Sequence, residues 1–153
     1  MSSTPSATSP AHSVAVSHSV VVYSNDPAVR DAVRTAVGRR PAADLGRVTW
    51  VECATGAELL TVVDAGGVDV LVLDGEARPT GGLGLAKQLK DEIEDCPPTL
   101  VLIARKDDQW LAKWSLADAI LPLPIDPPAL REAVADLLRH RASALPVRRA
   151  AAV

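Results

Sequence analysis

The sequence predicts an α/β protein, a doubly wound five-stranded parallel sheet covered by helices on both faces. Short β-branched apolar runs alternate with stretches of helical periodicity along most of the chain. One of these runs, Val68 to Asp74, is apolar almost throughout, as a strand buried on both faces requires. Between the runs stand the proline, glycine and capping residues that start and stop helices.

His18 to Tyr23 is the first strand, and Ser24-Asn25-Asp26-Pro27 then opens a helix with Asp26 as N-cap and Pro27 in the first turn. Val29, Val33, Ala36 and Val37 give that helix one apolar face. A loop with Pro41 and Gly46 leads to the second strand, Val48 to Val51. Thr55 and Glu58 have capping-box spacing ahead of Leu59, Leu60, Val62 and Val63, and Gly66-Gly67 stops this helix. The third strand ends at Asp74. After a glycine-rich loop, Leu83 to Glu94 forms a helix that stacks Leu85, Leu89 and Ile93. Pro97-Pro98 precedes the fourth strand, Leu100 to Ile103, and a short helix spans Trp110 to Ser115. Ala119 to Leu121 is the fifth strand. Asp126-Pro127 starts the last helix, with Leu130, Val134, Leu137 and Leu138 inward, to about Arg141.

With 153 residues, 48% hydrophobic and 23% charged, the chain has the composition of one globular domain with tails. The domain is expected over residues 18–141, between a disordered tail of residues 1–17 and a flexible tail of residues 142–153. Within it 14 basic residues face 19 acidic ones, so the body is negative and unsuited to a nucleic-acid backbone. Cys53 and Cys96 make neither a disulfide framework nor a metal spacing, which favours a reducing, cytoplasmic setting. The first 17 residues lack the basic start and apolar core of a secretory signal. No apolar run nears the roughly 18 residues of a membrane-spanning helix, so direct membrane insertion is not expected. His12, His18 and His140 are too scattered for a metal site or catalytic dyad, and Gly81 to Lys87 has neither Walker nor dinucleotide spacing.

A carboxylate at the carboxyl end of a buried parallel strand stands where open α/β sheets place their chemistry. Asp74 at that end, Gly82 eight residues later, and the run Pro122-Leu123-Pro124-Ile125-Asp126-Pro127 before the last helix fall in register with the five strands. On these residues, the segment from His18 to Arg141 resembles the receiver domain of bacterial two-component response regulators. The resemblance implies strand order 2-1-3-4-5 and assigns Asp74 to the phosphoacceptor position. Ser24 and Asn25 match the family's two metal-binding acids, although Asp26 is one residue away and is either a shifted ligand or the helix cap. Ile103, or Ala104 on a shifted register, matches the switch hydroxyl, Ile120 the switch aromatic, and Leu123 the lysine. The family's Lys-Pro bond implies a cis peptide at Leu123-Pro124.

With those residue types the expected function is non-enzymatic. The domain is read as a pseudo-receiver that takes no cofactor and no Mg²⁺, and that binds a protein through its fourth helix, fifth strand and fifth helix. A phosphoacceptor regulator modified on Asp74 in a phosphorelay is the competing expectation, and an FMN binder on the same architecture a third. No output domain is expected after Arg141. Trp110 and Trp114, four residues apart, are expected to place one ring in the core and offer the other as a candidate interface anchor. The Ala/Arg/Val-rich composition and the segments Gly38 to Asp44, Asp64 to Asp69 and Leu73 to Ala77 are similar to orphan single-domain receivers of actinobacteria. That narrower resemblance implies, as partner, the cytoplasmic arm of respiratory complex I (NADH:quinone oxidoreductase), peripheral to the inner face of the plasma membrane.

Overall fold

The structure of the chain, a computed structural model, describes residues 17–152. Its elements run β1 (Ser17–Tyr23), α1 (Pro27–Val37), β2 (Arg47–Cys53), α2 (Gly56–Ala65), β3 (Val70–Asp74) and α3 (Gly82–Glu92). They continue with β4 (Thr99–Ile103), a 3-10 turn (Lys106–Asp108), α4 (Gln109–Trp114), β5 (Ala119–Pro122) and α5 (Pro127–Ala152). The sheet has the order β2-β1-β3-β4-β5, and every neighbouring pair is parallel.

Period-two alternation along the central strands divides the core into two layers. Val21, Tyr23, Leu71, Leu73, Val101 and Ile103 pack with residues of α2, α3 and α4. Val20, Val22, Val70, Val72, Leu100 and Leu102 face the other way, against α1 and α5. Every residue of β3 and β4 is therefore buried, whereas the edge strands β2 and β5 are partly open.

Local signals set the helix starts. The Asp26 carboxylate accepts the Ala28 N–H at 2.9 Å, with Pro27 behind it in the first turn. Thr55 and Glu58 form the reciprocal capping box. At α3 the device is a close approach: a Cβ on Gly82 would lie 2.8 Å from the carbonyl oxygen of Asp74, so only glycine seats this helix against the end of β3. Leu123-Pro124 is cis, as the receiver resemblance implies, and Arg78-Pro79 is cis as well.

Three expectations are corrected. The last helix does not end near Arg141 but continues as helical backbone to Ala152, through Pro146, in a segment that holds no glycine or asparagine stop and is rich in alanine and arginine. The expected flexible C-terminal tail is thus helical through Ala152. At the other end Ser17 belongs to β1, and the rest of the predicted N-terminal tail lies outside the described residues. Helix α3 stops at Glu92, two residues early, with Ile93 as its extended C-cap.

Two substitutions should separate local from global stabilisation in urea unfolding. Thr55→Ala should cost about 1 kcal/mol, the worth of a helix cap. Leu73→Ala, at a fully buried position of β3, should cost about 2–5 kcal/mol.

Candidate functional site

The carboxyl ends of β1, β3, β4 and β5 lie on one edge of the sheet, since all strands are parallel, and they bring the sequence-assigned positions together. Asp74, the last residue of β3, is 4% exposed. Burial at this level demands donors. Its Oδ1 accepts the Glu76 N–H at 2.8 Å, and its Oδ2 accepts the Ser24 hydroxyl at 2.7 Å. Ser24 is itself fully buried: its N–H donates to Cys53 O, its Oγ accepts the Asp26 N–H at 3.0 Å, and its carbonyl takes Arg30 Nη1 at 2.7 Å.

Two more hydrogen bonds join the loop after β1 to the loop after β3. Asn25 Oδ1 accepts the Arg78 N–H at 2.8 Å, and the Tyr23 hydroxyl donates to the carbonyl of Thr80. Together with Ser24 to Asp74 they tie the two loops directly to each other. The sequence reading did not single out Tyr23 or Glu76; a lone aromatic ending a strand beside Ser24 was the available signal for the first.

A receiver fold implies Mg²⁺ here, and the residues present do not fit it. The ion takes oxygen ligands and usually a pair of carboxylates. Among the described residues no second carboxylate joins that of Asp74: its Oδ2 accepts the Ser24 hydroxyl, the Asn25 amide oxygen is bonded to Arg78, and Glu76 reaches toward the Ala104 N–H. The Asp26 carboxylate faces Ala28, which settles its role as helix cap. Among the described residues no group of three His, Cys, Asp or Glu side chains is placed to hold a metal.

The remaining family positions have become aliphatic. Ile103 is buried in the core layer under α4, and Ile120 packs partly buried against the same layer. Leu123 packs against the opposite layer, and its N–H donates to Ile103 O at 2.8 Å. These three residues line one cleft of about 250 Å³, together with Ala104, Arg105, Lys106, Gln109 and Pro122. Burial pushes the Cys53 thiol, at the end of β2, up to about 11.

The expectation for the tryptophans needs correcting. Neither ring is in the core: Trp110 is 66% and Trp114 50% exposed. Helix α4 has six residues and turns only the small Ala112 fully inward, so the large rings are left outside. The Lys87 ammonium stands 5.7 Å from the Trp114 ring centre. Leu116, 53% exposed, adjoins them with a left-handed φ of 65°. The sequence reading did not find it, because nothing in the residue type announces that backbone.

Burial, and after it the negative charge of Asp74, hold the Tyr23 hydroxyl above its ordinary value of 10.0. The folded protein keeps this proton to higher pH than the unfolded chain does, so folding stability should fall as pH rises past 10.0. Tyr23 is the only tyrosine of the chain, so an absorbance titration of tyrosinate reports it alone. Asp74→Asn should lower its apparent pKa while leaving it above the ordinary value, because burial is the larger cause.

No family model matches the chain. It is 52% identical over 120 residues to an uncharacterized response regulatory protein of Mycobacterium tuberculosis, found in strains H37Rv and CDC 1551, across 78% of this chain and 90% of the relative. Among solved structures, it is similar to the signal receiver domain of an HD domain-containing protein from Pseudomonas fluorescens Pf-5. There the TM-score is 0.71 at 14% identity, over 84% of this chain and 92% of that one. The receiver domain of the Francisella response regulator 1452 gives 0.69 at 20% identity, over 80% and 98%. The response regulator TrrA from Thermotoga maritima, solved in complex with Mg²⁺-BeF, gives 0.65 at 22%, over 79% and 99%. At these identities the structures speak for the fold, while the mycobacterial relative speaks for kinship. A parallel sheet of order 2-1-3-4-5 with an aspartate closing its central strand, and a relative 52% identical over 120 residues, make this chain a member of the response-regulator receiver family.

Proposed function

We propose that this chain is a pseudo-receiver, a non-enzymatic accessory or regulatory module that binds another protein without being phosphorylated. The observation that carries the reading is the 2.7 Å hydrogen bond from the Ser24 hydroxyl to Asp74 Oδ2, in the place where a receiver's metal-binding acid would stand. Phosphoryl transfer depends on positioning and on neutralising the charge of the transferred group. An ammonium about 4 Å away would supply on the order of 4 kcal/mol at an effective dielectric near 20, and Leu123 supplies none. Driving a two-state switch from mostly off to mostly on takes about 5.5 kcal/mol of differential interaction. With aliphatic Ile103 and Ile120 at the switch positions, a phosphate on Asp74 would find neither the hydroxyl nor the aromatic ring to move.

What supports protein binding is the surface of α4 and the turn after it, where Trp110 and Trp114 of the helix and Leu116 beyond it stand exposed. The partner proposed is the cytoplasmic arm of complex I, which rests on the narrower resemblance to orphan actinobacterial receivers. Among the described residues no helix is long and apolar enough to cross a membrane, so attachment there would run through the partner.

Incubation with acetyl phosphate and Mg²⁺ should leave the intact mass unchanged; a stoichiometric phosphate adduct on Asp74 would instead support a phosphorelay role. In affinity purification from native membranes read by mass spectrometry, complex I subunits should co-purify with the chain. Trp110→Ala should weaken partner binding by about 2 kcal/mol or more, the range of an interface anchor. Asp74→Ala should change it by less than about 0.5 kcal/mol. Loss of the partner with Asp74→Ala, with a folded protein, would sink the proposal.

A further inference from the structure

We infer that the groove between α2 and α3 is a docking site for a basic segment of a partner protein, one that sets a large aliphatic side chain between cations. The inference uses neither Asp74 nor the tryptophans of α4, and it adds a second surface to the reading above. The groove has a volume of about 490 Å³ and is lined by Leu60, Thr61 and Asp64 of α2 and by Leu89, Glu92 and Ile93 at the end of α3. Gly82, which seats α3 on Asp74, is at the other end of that helix. Helical spacing builds the walls, since Leu60 and Asp64 on one helix and Leu89 and Ile93 on the other are each four residues apart and share a face. Leu89 is buried, while Leu60 and Ile93 are partly buried against the same core layer. An aliphatic side chain set among these three would remove from water the apolar surface they leave open.

Charge identifies what flanks that side chain. Asp64 and Glu92 are both exposed, one on each wall. Among the described residues Asp64 has no hydrogen-bond or ion-pair partner, and Glu92 accepts the neutral amide of Gln88 at 3.2 Å, which leaves its charge unmatched. Nearby cations do not cancel them. Helix α2 holds no lysine or arginine, and the two lysines of α3 are engaged with other acids, Lys87 with Asp91 at 2.8 Å and Lys90 with Asp118 at 2.7 Å. Beyond α3, Arg141 pairs with Asp95 at 3.5 Å, and Glu94 adds one more carboxylate next to Ile93. The Thr61 hydroxyl donates to Ala57 O of its own helix at 3.0 Å, so no side chain of the lining is left to donate to an anion. Two carboxylates facing each other over an apolar floor select a segment of the opposite sign.

The test is a ¹H–¹⁵N NMR titration of the full chain with the peptide acetyl-Arg-Arg-Leu-Arg-Arg-amide. Two control peptides replace leucine by alanine, or every arginine by glutamate. Saturable shifts are expected at the amides of Leu60, Thr61, Asp64, Leu89, Glu92 and Ile93, with affinity at least about tenfold weaker for either control. Thr61→Phe, at an exposed position of the lining, should fill the groove and abolish the response without disturbing the core. The double change Asp64→Lys/Glu92→Lys should lower affinity by about tenfold or more. Absence of saturable shifts, shifts confined to another face, or binding indifferent to Thr61→Phe would overturn the inference. Equal affinity for the alanine peptide would overturn it too, by reducing the contact to bare attraction of cations. None of these outcomes touches the effects of Trp110→Ala and Asp74→Ala, so the groove can fail while the pseudo-receiver reading stands.

Discussion

A carboxylate closed inside a fold must have its negative charge met by nearby donors, and in this protein that requirement organises the whole upper edge of the sheet. Asp74 is buried because β3 is sealed on both faces and α3 is seated directly on its carbonyl. The donors that meet it come from the loop after β1 and from its own loop. Ser24 in turn satisfies the Asp26 amide that begins α1. The charge is met inside the chain, by hydroxyl and amide.

Once that charge is answered locally, the surrounding positions have no reason to be polar. Ile103, Ile120 and Leu123 pack against the two core layers, and their tips line a common cleft. The result is a recessed apolar surface beside the exposed tryptophans of α4, set apart from the buried carboxylate above β3.

Most of the fold was legible in the sequence because its signals are local. The Val68 to Asp74 run, the Asp26-Pro27 cap and the Thr55/Glu58 box each specify an element from a few adjacent residues, and each is present in the structure. The acceptor position was legible for the same reason, as a charge ending an apolar strand. What could not be read depends on distance or on context. The bond from Tyr23 to Thr80 spans 57 positions, so no window of sequence contains it. Trp110 and Trp114 have the spacing of a buried face, yet on a helix of six residues Ala112 takes the inward position. The extension of α5 past Arg141 runs against a local signal, since Pro146 argues for an earlier end.

The absent side chain at Gly82 has a consequence for how such proteins can drift. Ser24 and Asn25 are held by side-chain hydrogen bonds and Leu123 by packing, each of which can be exchanged for other contacts while the backbone stays where it is. Position 82 is held by close main-chain approach: a Cβ there would stand 2.8 Å from the Asp74 carbonyl oxygen, so any other side chain forces the backbone to shift. The glycine therefore marks the fold through the shape of the main chain, whatever chemistry the neighbouring side chains carry.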